Sequence, residues 1–139
     1  MQYVCDAPEH KTWFRIESEA EAARESQAMS HAVEKHFRQA HEQAVKSYVP
    51  AGSFIEQDIG LKAHIKRVMP VFLTLRDGEG KALATALLPP EGGDGTVKPI
   101  VVGFANGDPF PEHGDAIRAL GEHFGITLDP DHCYPYRRS

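Results

Sequence analysis

From Ser18 to Pro50, apolar and small residues at Ala22, Ser26, Met29, Val33, Phe37, Ala40, Ala44 and Tyr48 recur at steps of three and four. That spacing draws one stripe down a helix and predicts a single long helix over about 18–48. Ser18 with Glu21 has the spacing of a capping box, in which hydroxyl and carboxylate satisfy free amides at a helix start. Ahead of it, "QYVC" and "TWFRI" flank the turn-like "DAPEH" and are rich in β-branched and aromatic residues, so they predict strands. Farther on, "VFLTL" and "KALATALL" flank "RDGEG", the pattern of a β-hairpin. "KPIVVGF" is apolar at consecutive positions and predicts a strand in the middle of a sheet.

Segment 58–69 reads two ways. Ile59, Leu61, Ala63 and Ile65 alternate like a strand, whereas Leu61, Ile65, Val68 and Met69 fit a helix. Asp58 as a cap and Pro70 as a stop tilt the reading to helix. Ala116, Ile117, Leu120 and Phe124 form the last helical stripe, over about 113–124, with Gly125 and Ile126 as a left-handed C-terminal cap. "PPEGGDGT" predicts a loop, and 129–139 an irregular tail. No repeat or composition shift divides the chain. This order of elements predicts a single α+β domain over 1–139, a largely antiparallel sheet of about four to five strands with helices on one face.

The long stripe has two readings. A helix of that length spans on the order of 45 Å, longer than a small domain is wide, so it either breaks or projects, and the stripe is either ordinary core or a contact between two copies. A homo-oligomer, a dimer through the long helix, is the expectation.

Composition narrows the function classes. With 139 residues, 41% of them apolar, the chain can bury a core without a disulfide staple, so Cys5 and Cys133 are expected as free thiols. A net charge of -5 gives no general attraction to phosphate backbones or anionic lipid, so neither a nucleic-acid nor a membrane partner is expected. The apolar runs are short, and "MQYVCDAPEHK" lacks a basic start and an apolar signal region; the expected location is cytoplasmic.

Chemistry is sought in "GFANGDPFPEHGD", between the last strand and the last helix. Glycines in that place raise the question of a phosphate cradle. Asp108, Glu112 and Asp115 would repel phosphate, Pro109 and Pro111 lack an amide hydrogen, and neither the P-loop nor the dinucleotide glycine pattern is present. No cofactor is expected. The succession of hairpin, strand, glycine-bearing turn and helix over Val71 to Ile126 superficially resembles the core of the GNAT acyltransferase superfamily. That resemblance implies an acyl-coenzyme A pyrophosphate held at the turn, but the Arg or Gln with closely spaced glycines of that family is absent from Gly103, Phe104, Ala105, Asn106 and Gly107.

What the loop does carry is His113 with Asp108, Glu112 and Asp115 around it. A carboxylate beside a histidine can orient the ring for proton transfer, or the group can take a divalent ion. Asp58 and Arg118 are accessory candidates. Acidic residues also favour a helix N-terminus with no further role.

Other histidines are less promising. His31, His36 and His41 recur every five residues, which turns a helix by about 500° and points successive rings roughly 140° apart, so they cannot share an ion. Cys5, His10, His132 and Cys133 have zinc-ligand chemistry without the short paired spacing. Cys133 beside His132 or near His10 reads as a thiol and base, or more simply as core filler. Lys62, Lys66 and Arg67 form a small basic cluster, read as a solvated face. Taken together the residues suggest a binding or protein-interaction module with no evident catalytic motif; the alternative is a small enzyme working at loop 106–115.

Overall fold

The structure, a computed structural model, describes residues 1–91 and 98–134. The loop expected in "PPEGGDGT" and the tail after Tyr134 fall largely outside the described residues. Strand β1 (Gln2–Ala7) and β2 (Lys11–Arg15) are followed by helices α1 (Glu19–Met29), α2 (Val33–Ser47) and α3 (Phe54–Val68). Strands β3 (Val71–Arg76), β4 (Ala82–Leu88) and β5 (Ile100–Val102) come next, then a single 3₁₀ turn (Phe104–Asn106) and α4 (Phe110–Phe124). The strands form one antiparallel sheet in sequential order, β1-β2-β3-β4-β5, and the fold is α+β.

The long helix is broken. Ser30 takes a left-handed conformation at φ 53, and the His31 amide turns back to the Ser26 carbonyl at 3.2 Å, a Schellman-type stop made without glycine. Ala32 then begins α2 with no side-chain cap of its own. The missing cap comes from the preceding helix, because Ser26 Oγ accepts the Glu34 amide at 2.8 Å. Ser26, a member of the stripe, thus serves the joint between the two helices. At the start of α1, Ser18 Oγ accepts the Glu21 amide at 3.2 Å, while the Glu21 carboxylate accepts from Glu17.

Residues 54–68 are helical. Ser53 and Glu56 form the complete capping box, so Asp58 lies inside the helix and pairs with Lys62 at 3.0 Å instead of capping it. Gly60 lets α3 seat on α2: a Cβ there would come within 2.3 Å of the Tyr48 hydroxyl.

Alternation along β3 and β4 explains two cores. Val71, Leu73 and Leu75 with Ala84, Ala86 and Leu88 point to one face, where Trp13, Ala116, Ile117, Leu120, Leu128 and Cys133 complete a cluster. Phe72 points the other way, into a cluster with Ile16, Ala22, Val33, Phe37, Ala44 and Met69. Helices therefore cover both faces, α4 one and α1 to α3 the other, not one face as the order of elements suggested. Trp13 ties α4 to the sheet, its ring N–H donating to the Ala116 carbonyl at 2.8 Å.

β5 lies at the edge of the sheet, not in its middle. Its consecutive apolar residues report that both faces are covered: Val101 enters the α4 cluster, while Ile100 and Val102 turn to the other side. Tyr134 closes the outer edge, donating its amide to the Pro99 carbonyl at 2.7 Å and accepting from Val101 at 3.2 Å. α4 starts at Phe110, three residues earlier than the stripe indicated, and His113 carries an irregular φ of -123. It ends at Gly125 with φ 70, the Ile126 amide returning to the Gly121 carbonyl at 2.9 Å. Among the described residues no helix is long and apolar enough to cross a membrane.

Candidate functional site

Glu25 stands on the inner side of α1 among apolar residues and is completely buried. A buried carboxylate needs charged or hydrogen-bonding partners, and Glu25 has both. Arg76 Nη2 donates to one oxygen at 2.9 Å and the Thr85 hydroxyl donates to the other at 2.5 Å. The guanidinium is itself anchored, through Nε to Thr74 Oγ1 at 3.0 Å and through Nη1 to the Gly80 carbonyl at 3.1 Å. Thr74 and Thr85 face each other across β3 and β4, so one hairpin register aligns the whole set.

The chain of contacts continues to His31, whose Nε2 lies 2.8 Å from Thr85 Oγ1. Proton accounting fixes the tautomer. A carboxylate only accepts, so the Thr85 proton goes to Glu25, and Thr85 Oγ1 must then accept from a protonated His31 Nε2. The other ring nitrogen, Nδ1, is left as acceptor and faces the Val33 amide at 3.4 Å, one of the donors that a helix start leaves without an intrahelical partner. Burial pushes the His31 pKa below its ordinary value, against the opposing attraction of Glu25. The ring is neutral at pH 7 and held at both nitrogens.

His31 and Thr85 open onto a cavity of about 440 Å³. Its walls are Val33, Phe72, Leu87, Ile100 and Val102; His36, Asn106 and Tyr134 add polar groups. No Asp, Glu, Lys or Arg lines it among the described residues. A volume of that size suits a small molecule. Hollows of similar volume, about 460 and 440 Å³, lie over α1 and α2 between Glu34, Arg38 and Glu42, and between Glu17, Glu19 and His41, where solvated charges dominate.

The acidic loop is arranged differently. Asp108, just ahead of the Pro109 N-cap of α4, accepts the Phe110 amide at 3.1 Å, and Asp115 pairs with Arg118 at 3.1 Å on the exposed side. His113 is mostly buried; Lys11 Nζ donates to its Nδ1 at 3.1 Å, and Glu112, largely exposed, lies 3.8 Å from Nε2. Burial, then the Lys11 charge, lower its pKa. The structure therefore brings together His113, Glu112 and Lys11, a residue the sequence did not suggest, and turns Asp115 to Arg118. Asp58 sits across the sheet on α3. The turn before α4 spends its amides on itself: Gly103 donates to the Gly107 carbonyl at 2.8 Å and Gly107 to that of Phe104 at 2.9 Å. Of the loop, Asn106, held at φ 61, is the residue that reaches the cavity.

Among the described residues no three His, Cys, Asp or Glu side chains form a metal-binding group. His132 is drawn to Asp129 at 2.6 Å, and Cys133 is buried with its thiol pushed up to about 11 by desolvation, the opposite of an activated nucleophile. Both cysteines are free thiols.

Glu25, Thr85 and Arg76 were missed as a set, yet the sequence carries a signal. Glu25 falls three residues after Ala22 and four before Met29, on the apolar side of its helix, while Thr74 and Thr85 interrupt otherwise apolar strands. Polar residues at core positions imply one another. No known protein family, curated protein or solved structure matches this chain.

Proposed function

We propose that the chain is a binding module whose cavity between the α1–α2 joint and β4–β5 takes a small, uncharged, largely apolar ligand with one hydrogen-bonding group. The supporting observation is the fully satisfied buried chain Arg76, Glu25, Thr85, His31 that ends at that cavity. It presets the ring before any ligand arrives, which removes part of the ordering cost of binding. A charged ligand would have no lining countercharge and would keep its desolvation penalty, whereas an alcohol, amide or phenol fits the neutral lining.

A screen of such neutral compounds by thermal shift tests the reading, with Ile100→Trp as a cavity-filling control. A ligand at a hundredfold its Kd stabilises by about 2.7 kcal/mol, which raises Tm by roughly 5–10 °C for a domain of this size. The shift is expected in the native chain and not in the filled variant; equal shifts in both, or none in either, count against the cavity. Acid–base chemistry at His113 is the second reading, supported by its burial and its contacts with Lys11 and Glu112. The same screen separates the two, because a ligand of that site survives Ile100→Trp and is lost in His113→Gln.

A further inference from the structure

The polar groups of the cavity fall into an inner and an outer set. Thr85 is 4% exposed and His31 is half-buried, whereas His36, Asn106 and Tyr134 are exposed. A ligand that enters leaves its outer end among groups that water and the rim can both satisfy. Its inner end meets Thr85 and His31, and what those two can still accept or donate decides which chemistry fits there.

His31 has nothing left in the plane of its ring. Its Nε2–H is committed to Thr85 Oγ1 at 2.8 Å, and Nδ1 accepts from the Val33 amide at 3.4 Å. The Thr85 proton is committed to Glu25 at 2.5 Å. A hydroxyl oxygen has two lone pairs, and the His31 N–H takes one of them. The second lone pair of Thr85 Oγ1 is what remains. It is a strong acceptor, because donating to a carboxylate polarises the hydroxyl and raises the electron density on its oxygen. Among the described residues the strands behind add no competing donor, since β4 lies between β3 and β5 with its amides in the two ladders.

We infer that the ligand of this cavity carries a neutral N–H or O–H donor at its inner end, aimed at Thr85 Oγ1, so that alcohols, phenols and N–H heterocycles bind in preference to ethers, esters and ketones of the same shape. The inference rests on the binding reading above and adds the polarity of the one hydrogen bond. An ether or carbonyl oxygen turned inward would set lone pair against lone pair and lose its own hydration. An apolar inner end only leaves the spare lone pair unfilled. An ammonium donor gains nothing from the charge behind Thr85, because Arg76 at 2.9 Å already matches that of Glu25.

Indole, benzofuran and indene share one shape and differ at one ring position, which is N–H, O or CH₂. Each is titrated into the full chain labelled with heavy nitrogen, and its Kd is read from the amide shifts around the cavity. Indole is expected to bind at least about fivefold tighter than indene, and benzofuran no tighter than indene. A nuclear Overhauser contact from the indole N–H to the Thr85 methyl group is expected to place the donor. Asn106→Ala, at the exposed rim, is expected to keep the preference. Benzofuran or indene binding as tightly as indole, or a preference that vanishes in Asn106→Ala, overturns the inference and leaves the cavity a binding site. Failure of all three to bind at about 1 mM overturns it together with that reading.

Discussion

Replacing Glu25 by glutamine leaves the volume of the side chain almost unchanged and converts one acceptor oxygen into a donor. In the native chain both oxygens receive protons, from Arg76 at 2.9 Å and from Thr85 at 2.5 Å. Glutamine satisfies only one of them. The guanidinium cannot give up its protons, so the amide oxygen stays toward Arg76 and the amide NH₂ turns to Thr85. Thr85 then accepts from the introduced amide and sends its own proton to His31, which must present a bare Nε2. The imidazole proton moves to Nδ1, and the Val33 amide loses its acceptor. One charge-assisted hydrogen bond is weakened, at about 1.5–3 kcal/mol, and the strained helix start adds a few tenths, so a loss of about 2–3 kcal/mol is expected. For a domain of this size that lowers Tm by roughly 5–10 °C. Nitrogen NMR of the imidazole reads the tautomer directly: Nε2–H in the native chain, Nδ1–H in the variant. An unchanged Tm together with an unchanged tautomer, or an Nδ1–H form in the native chain, refutes the proton accounting.

Two further outcomes follow from the same geometry. His31 and His113 both have pKa values pushed below the ordinary imidazole range, chiefly by burial, so the unfolded chain takes up protons at a higher pH than the folded one. Stability is therefore full above about pH 6.5 and declines as pH falls from there toward the folded-state pKa values; urea midpoints at about pH 7.5 and about pH 5.5 measure it, and a flat or rising midpoint on acidification contradicts the burial of both rings. Gly121→Ala puts a Cβ within 2.7 Å of the Ile126 carbonyl oxygen, a backbone atom fixed by the α4 cap. Overpacking of about 1–3 kcal/mol outweighs the gain of about 1 kcal/mol in helix propensity, so net destabilisation is expected, read as a lower urea midpoint. Gly114→Ala, with open space around the new Cβ, is the control that keeps the propensity gain.

Much of the fold was legible because local chemistry and tertiary packing agree. The β3–β4 hairpin and the Gly125 stop of α4 rest on glycines at φ 85 and φ 70, which other residues rarely adopt, and the stop at Pro70 rests on a residue that cannot continue a helix. The length of the stripe already allowed a break, but its place after Met29 was not legible, because Ser30 carries no left-handed signature and the cap of α2 is supplied by Ser26, eight residues upstream of the amide it receives. An unbroken stripe is compatible with a break whenever the two helices keep packing against the same strands. The apolar run of β5 was read as a central position when it records burial on both faces. As for the site, the loop of His113 drew notice by its residue types, whereas the buried set around Glu25 becomes visible only when α1, β3 and β4 are placed side by side.

The sheet runs in sequential order, but β2 and β3, neighbours in space, are separated in the chain by all of α1, α2 and α3. Closing that long excursion costs more entropy than closing either hairpin, so the two hairpins are expected to form early as local units and their union late. Trp13, at the centre of β2, is one of the ties across that union: its ring N–H reaches Ala116 while Lys11 meets His113 and Val4, Cys5 and Ala7 of β1 pack against the same cluster. If the seam is the late step, native-state hydrogen exchange is expected to release the β1 and β2 amides together and ahead of those of β3 and β4.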